Sequence, residues 1–289
     1  MPKFLYSVLT SSDLNHCRRA VSTIPDGRNI VVVVNTQEPD YLDKVVNSDL
    51  RNRVTIVNTE SNGTPGQGKQ SVADYFMKTD CDYLIPIDGD DFWCEHGCEK
   101  LENYITQKQP DVVGLLNEDI FIDEKVYSSW RDLKLVDILD PLQLDDMNVV
   151  RDYFMDVTSL IRHNGCVFNR LVAFSKKACS LTLWDTELPG SEDALLSAQL
   201  KLLHLSNQLA FHLIESSDIY MYIKQTFNGT GFKLFTSDVA WCRKHFFGHF
   251  SANEIDLLKS QDLPCEVWPP AKKRFQRIKY AKKVIKAFS

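Results

Sequence analysis

In the first hundred residues, short apolar runs alternate with longer stretches in which apolar residues recur every three or four places. Strand-like and helix-like periods in alternation mark a parallel sheet with crossover helices. The pattern predicts strands over 4–9, 30–34, 54–57 and 83–87, and helices over 13–24, 38–46 and 68–77. The unbroken run Ile30-Val31-Val32-Val33-Val34 fits a strand covered on both faces.

Beyond residue 115 the alternation loosens. Residues 119–130 and 136–155 are acidic and aromatic without a clear period, and 167–174 reads as a strand. A helix is expected over 191–205, with Leu195, Ala198, Leu202 and Leu205 on one face. Two β-rich runs, 209–214 and 219–223, precede helices over 238–247 and 252–259, and Pro264, Pro269 and Pro270 set off the final stretch. The chain therefore divides into 1–115, 116–260 and 261–289.

Ligands of open α/β sheets bind beyond the carboxyl ends of the strands. Here those ends are polar: Thr10-Ser11-Ser12, Asn35-Thr36-Gln37, Asn58 to Gly63, and Asp88-Gly89-Asp90-Asp91. Three carboxylates within four residues repel one another unless a cation separates them. Hard cations such as Mg²⁺ and Mn²⁺ use one or two such groups plus substrate phosphates. Gly89 would let the backbone turn and approach a ligand. Alone, the segment could equally be a surface turn with Asp90 or Asp91 capping a helix.

The loop Gly63-Thr64-Pro65-Gly66-Gln67-Gly68-Lys69-Gln70 satisfies the first half of a phosphate-binding G-x-x-x-x-G-K pattern but has Gln70 where Ser or Thr should meet Mg²⁺. What survives is weaker: backbone N–H groups and Lys69 at a helix start suit an anion.

Composition narrows the picture. A chain of 289 residues, 44% hydrophobic, can bury a sizeable core. The apolar run at 4–9 is too short for a secretory core, and no segment approaches ~18 uninterrupted apolar residues, so a cytoplasmic protein is expected. Eight scattered cysteines read as free thiols; Cys94-Glu95-His96-Gly97-Cys98 hints at zinc but lacks the second cluster of a structural site. The net charge of −6 conceals eight basic and no acidic residues over 272–286, leaving −14 for the remainder. If that tail is helical, Phe275, Ile278, Ile285 and Phe288 can share one face, to dock on the body with a solvated basic rim, rest on an anionic membrane or track nucleic-acid phosphates.

Several of these segments occur together in the order seen in one enzyme group. Tyr6-Ser7-Val8-Leu9-Thr10, the strand ending at Asn35, the Gly66/Gly68/Lys69 loop and Ile87-Asp88-Gly89-Asp90-Asp91 resemble the family-2-like glycosyltransferases of the GT-A fold. Later, Phe174-Ser175-Lys176-Lys177 and the stretch from Trp184 to Glu192-Asp193 resemble the acceptor-side segment of that family. The likeness covers roughly 4–205.

The resemblance implies an α/β, Rossmann-like three-layer GT-A fold with a mostly parallel central sheet, and a basic helical tail. Residues 1–115 would hold the nucleotide sugar and 116–260 the acceptor. Asp88 would contact the nucleoside, Asp90 with Asp88 would coordinate Mn²⁺ or Mg²⁺, and Asp193, beside Glu192, would be the base of an inverting displacement. Ser191 as N-cap would set both carboxylates in the first helical turn.

Thr10, Ser11, Asn35, Asp40, Gly66, Gly68, Lys69 and Gly89 would line the donor, a nucleoside-diphosphate sugar expected to be UDP-linked. The family's Asp-Asp pair after the second strand is replaced by Asn35-Thr36, which leaves nucleoside recognition to Asp40, Glu60 or another group. His245 or His249 could complete the metal shell from a late segment. The acceptor would be a glycan or lipid-linked sugar, or a hydroxylated base in DNA as with glycosyltransferases of some bacteriophages. A nucleotidyltransferase or a non-catalytic sugar-nucleotide-binding protein are the competing readings.

Overall fold

A computed structural model describes residues 1–117, 119–122, 125–127, 147–163, 166–167, 170–223, 238–268 and 272–288. Parts of the acidic and aromatic stretch, and Pro269 and Pro270, lie outside the described residues.

The alternation in the first hundred residues folds as expected into β1 (Phe4–Thr10), α1 (Leu14–Ser22), β2 (Asn29–Val34), α2 (Tyr41–Val46), β3 (Thr55–Asn58), α3 (Pro65–Met77) and β4 (Tyr83–Asp88). Then come β5 (Phe92–Trp93), α4 (Gly97–Lys108), β6 (Val112–Asn117), β7 (Asp119–Ile122), β8 (Lys125–Tyr127) and α5 (Met147–Ile161). After the short β9 (Arg162–His163) and β10 (Cys166–Val167), the chain forms β11 (Arg170–Ser175), α6 (Lys176–Leu181) and α7 (Glu192–Leu205). It continues through β12 (Phe211–Glu215), β13 (Tyr220–Ile223), α8 (Val239–Gly248), α9 (Ala252–Ser260), β14 (Cys265–Val267) and α10 (Arg274–Lys286).

Eight strands form the central sheet, in the order β14-β12-β6-β11-β4-β1-β2-β3. Its pairings are parallel except at β11, which runs antiparallel to both β4 and β6. Val31 and Val33 of β2 enter one core with α3, α5, α7 and α8, while Ile30, Val32 and Val34 enter the other with α1, α2 and α4. Both faces are therefore covered, and each of these valines, fully buried, contributes about 2 kcal/mol of transfer free energy.

Helix starts are set by local chemistry. The Asp13 side chain accepts hydrogen bonds from the Asn15 and His16 N–H groups at the start of α1. The α3 helix begins three residues before the expected Gly68, because Thr64 accepts from the Gln67 N–H and Pro65 supplies the fixed φ of a first helical position. The helix α7 is not one-faced as its periodicity predicts. Leu196, Ser197, Leu200 and Lys201 are buried along with Leu195 and Ala198. Lys201 is tolerated because its ammonium donates to the carbonyls of Leu160 (3.3 Å) and Leu258 (2.8 Å), near the C-terminal ends of α5 and α9.

A second sheet, β5-β13-β7-β8, lies under α10. Ala281 joins Phe92, Met221 and Ile223, with Ile278, Val284 and Ile285 packed around them, so the tail docks on the body. Arg277 rather than Phe275 is buried: it pairs with buried Asp119 at 2.7 Å, and Phe275 is exposed. Ile278 and Ile285 of the expected apolar stripe thus pack on the body while Phe275 does not, and Arg277 and Ala281 are the buried residues of the docked face. Among the described residues, no helix is long and apolar enough to cross a membrane.

Candidate active site

Strand register brings the polar strand ends together. Leu9 pairs with Asp88 and Thr10 with Val34, so Thr10, Asn35 and Asp88 stand on neighbouring strands at one sheet edge. Ser11 is exposed beside them, and Asp40 is exposed just before α2. The Thr10 hydroxyl meets Tyr41 OH at 2.5 Å, and the Asn35 side-chain N–H donates to the Thr64 carbonyl at 3.0 Å. Asn35 Oδ1 is buried with no hydrogen-bond partner, a cost a polar ligand would remove.

The carboxylate cluster separates into three roles. Asp91 is fully buried and accepts from Tyr220 OH (2.7 Å) and the Ile223 N–H (2.8 Å), which ties β13 to the cluster. Burial, with Asp90 beside it, pushes the Asp91 carboxyl well above the usual carboxylate range. Asp88 is held by Arg170, whose guanidinium reaches Asp88 at 2.5 Å and Asp91 at 3.2 Å while lying over Tyr220 and Tyr222. Burial opposes its ionisation, but Lys69 and Arg170 together hold the Asp88 carboxyl below its ordinary value. Asp90 opens to solvent, and among the described residues no basic side chain forms an ion pair with it. Close packing on its inner side and the Asp88 charge raise its carboxyl.

Lys69 does not project freely as an anion ligand. Its ammonium lies 2.7 Å from Glu192 and 2.7 Å from Asp193, with the Trp184 ring 5.2 Å away. Burial works against its charge, yet Asp193, Glu192 and Asp88 raise its pKa above the usual lysine range. Burial lifts the Glu192 carboxyl despite Lys69. One cavity is lined by Leu9, Lys69, Asp88, Arg170, Trp184 and Asp193, so the two sequence motifs meet across it.

The glycines serve packing. A Cβ on Gly66 would fall 1.7 Å from the Asp185 carbonyl oxygen, one on Gly68 2.6 Å from Leu9, and one on Gly89 2.6 Å from the Leu9 carbonyl. Their small size closes the protein on itself at these three points, where the sequence points to ligand approach.

Ser191 does not cap α7 with its side chain. It adopts a left-handed backbone, φ 67°, which costs a non-glycine residue free energy and places Glu192 and Asp193 in the first turn without a side-chain cap. His245 and His249 meet Asp185, at 2.8 and 3.4 Å, and not the Asp88 cluster, because α8 packs beside the segment that follows α6. Cys94 and Cys98 are buried and free, and among the described residues they join no grouping of three metal-ligating side chains. Arg170 is the cavity-lining side chain that sequence reasoning misses, its one signal being an arginine within an apolar strand.

No protein-family description and no characterised protein matches the chain by sequence. In three dimensions it is similar to residues 1–349 of S. aureus TarS, with a TM-score of 0.56 and 12% identity over 89% of this chain and 69% of that one. The same protein in complex with UDP-GlcNAc gives 0.56 and 13% over 89% and 70%. The chain is also similar to the mannosyltransferase PcManGT of Pyrobaculum calidifontis in complex with GDP-Man and Mn²⁺, with 0.51 and 12% over 91% and 66%. At these identities the likeness establishes the fold, which is the GT-A glycosyltransferase fold.

Proposed function

We propose that this GT-A chain transfers a sugar from a nucleoside-diphosphate sugar to an acceptor hydroxyl. The observation that carries the reading is the shared cavity, where Asp88 of the β4 motif faces Asp193 of α7 with Lys69 between them. Residues 1–115 then serve the donor and 116–260 the acceptor. The complexes of similar folds with UDP-GlcNAc and GDP-Man support a nucleotide-sugar donor, and a UDP-linked one is the first to test.

Asp193 is 40% exposed on its side chain, so an incoming hydroxyl can reach it, while Lys69 fixes one of its oxygens. In the displacement, the acceptor oxygen bonds to the anomeric carbon as its proton passes to Asp193. The bond from that carbon to the diphosphate oxygen breaks, and the configuration inverts. Thr10, Ser11, Asn35 and Asp40 surround the nucleoside end.

Asp90 fits a hard divalent cation: it is exposed, stands beside the Asp88 carboxylate and forms no side-chain ion pair among the described residues, Arg19 donating to its backbone carbonyl instead. Asp90, with Asp88 alongside, would hold Mn²⁺ or Mg²⁺ through carboxylate oxygens, leaving other positions for phosphate. Such an ion stabilises the charge that grows on a departing diphosphate.

The acceptor is a glycan, a lipid-linked sugar or a hydroxylated base in DNA. With Arg277 and Ala281 buried, α10 leaves Lys273, Arg274, Lys279, Lys282, Lys283 and Lys286 exposed, which favours an anionic surface near the acceptor.

The deciding experiment is thermal shift with Mn²⁺ against nucleoside diphosphates, sugar nucleotides and nucleoside triphosphates, for wild type and Asp90→Ala. Stabilisation by one nucleoside diphosphate that disappears in the variant is expected. Pyrophosphate release from a triphosphate and a sugar phosphate would instead establish a nucleotidyltransferase.

A further inference from the structure

His245 lies in the last turn of α8 and His249 is the helix's C-cap, four residues on, a spacing that puts both rings on one side. Their Nε2 atoms approach the same oxygen, Asp185 Oδ2, at 2.8 and 3.4 Å, and the three ligand atoms all lie within 4.8 Å of one another. Tetrahedral zinc with bonds of about 2.0–2.2 Å keeps its ligand atoms about 3.3 Å apart, so little movement is needed to admit an ion.

The surroundings hold this arrangement in place. Asp185 Oδ1 accepts from the N–H groups of Glu187 (2.9 Å) and Leu188 (2.7 Å), which turns Oδ2 toward the histidines. Glu187 stands 3.9 Å from His245 Nδ1, beyond hydrogen-bond distance, and adds a negative charge on the ring side opposite the shared oxygen. Trp241 stacks on the His245 ring at 4.8 Å and 21°. The histidine side chains are 23% and 34% exposed, so an ion has an entry path and water can complete its shell.

We infer that Asp185, His245 and His249 form a second metal site, for a zinc-class transition-metal dication, outside the cavity that Asp88 and Asp193 share. Two imidazoles and one carboxylate favour zinc, cobalt or nickel, whereas the all-carboxylate Asp90 region favours Mg²⁺ or Mn²⁺. The ion ties α8 to the segment that carries Trp184 into the donor cavity and then opens α7 with Glu192 and Asp193.

The test is a Co²⁺ titration of the full chain after chelator treatment, followed by visible absorption, with Zn²⁺ as competitor. Wild type, Asp90→Ala, His245→Gln and His249→Gln are compared, and circular dichroism checks folding. One Co²⁺ per chain with visible bands, displaced by Zn²⁺ and retained in Asp90→Ala, is expected, with affinity at least about tenfold weaker in each histidine variant. Absence of stoichiometric Co²⁺ bands in the wild type overturns the site whatever the variants do. So does loss of the bands in Asp90→Ala with retention in His249→Gln. Because Asp90→Ala separates the two sites, failure here leaves the transferase proposal standing.

Discussion

The ammonium of Lys69, at the start of α3, sits 2.7 Å from the Asp193 carboxylate and 2.7 Å from that of Glu192, so one cation joins residues more than a hundred positions apart. Glu192 and Lys69 are largely buried, and removing one partner of a buried pair leaves an uncompensated charge. Lys69→Met should lower stability by about 3 kcal/mol. A urea denaturation midpoint that matches wild type would show that the pair is not holding the two halves.

If Asp193 takes the acceptor proton, Asp193→Asn keeps the shape and removes the base. Transfer should fall by about 10²–10⁴ while donor affinity stays within a factor of about two. Activity assays paired with donor titration check this, and comparable losses in both would reassign Asp193 to binding.

Asp90 and Asp91 are adjacent but should respond in opposite ways. Asp91→Ala strands the buried Tyr220 hydroxyl and the Ile223 N–H, and should cost about 2–4 kcal/mol. Asp90→Ala should change stability by no more than about 0.5 kcal/mol yet abolish the Mn²⁺-dependent shift with nucleoside diphosphate. Thermal melts of both variants, with and without Mn²⁺ and ligand, make the comparison.

The docked tail should be pH-sensitive through Asp119. Burial pushes its carboxyl up to about 7, with Arg277 opposing, whereas an unfolded aspartate titrates near ~3.9. A raised folded value means that the folded state holds the proton more tightly. The stabilisation is complete below the unfolded value and is lost as pH rises through about 7. The melting temperature of wild type relative to Asp119→Asn should therefore fall between pH 5 and pH 8; a constant difference would contradict the titration.

Much of the fold of the first hundred residues could be read from the chain itself. The valine run of β2 and the polar residues after β1, β2 and β4 depend on local pattern, and local pattern survives in a sequence. Asp88 and Asp193 stood out in local motifs for the same reason, and the fold brings both to one cavity. Arg170 did not, because ligands of parallel sheets lie beyond the carboxyl ends of strands, whereas antiparallel β11 brings its first residue to that edge. Lys69 was read as an anion ligand from its place at a helix start, since a partner 124 positions away leaves no local trace. His245 and His249 were each read as a late ligand for the Asp88 cluster, and the neighbour that gathers them, Asp185, was not. Buried Lys201 broke the apolar stripe of α7 because its partners are carbonyls, which every residue carries.

The Asp185 carbonyl oxygen occupies the space where any side chain at position 66 would begin. Asn62 and Thr64 also donate to the Thr186 carbonyl, so the loop before α3 and the segment before α7 form one interlocked surface. For anyone exchanging segments between proteins of this fold, residues 62–69 and 184–193 are a single cassette. Transplanting either alone would bring a foreign backbone against a socket cut for its native mate.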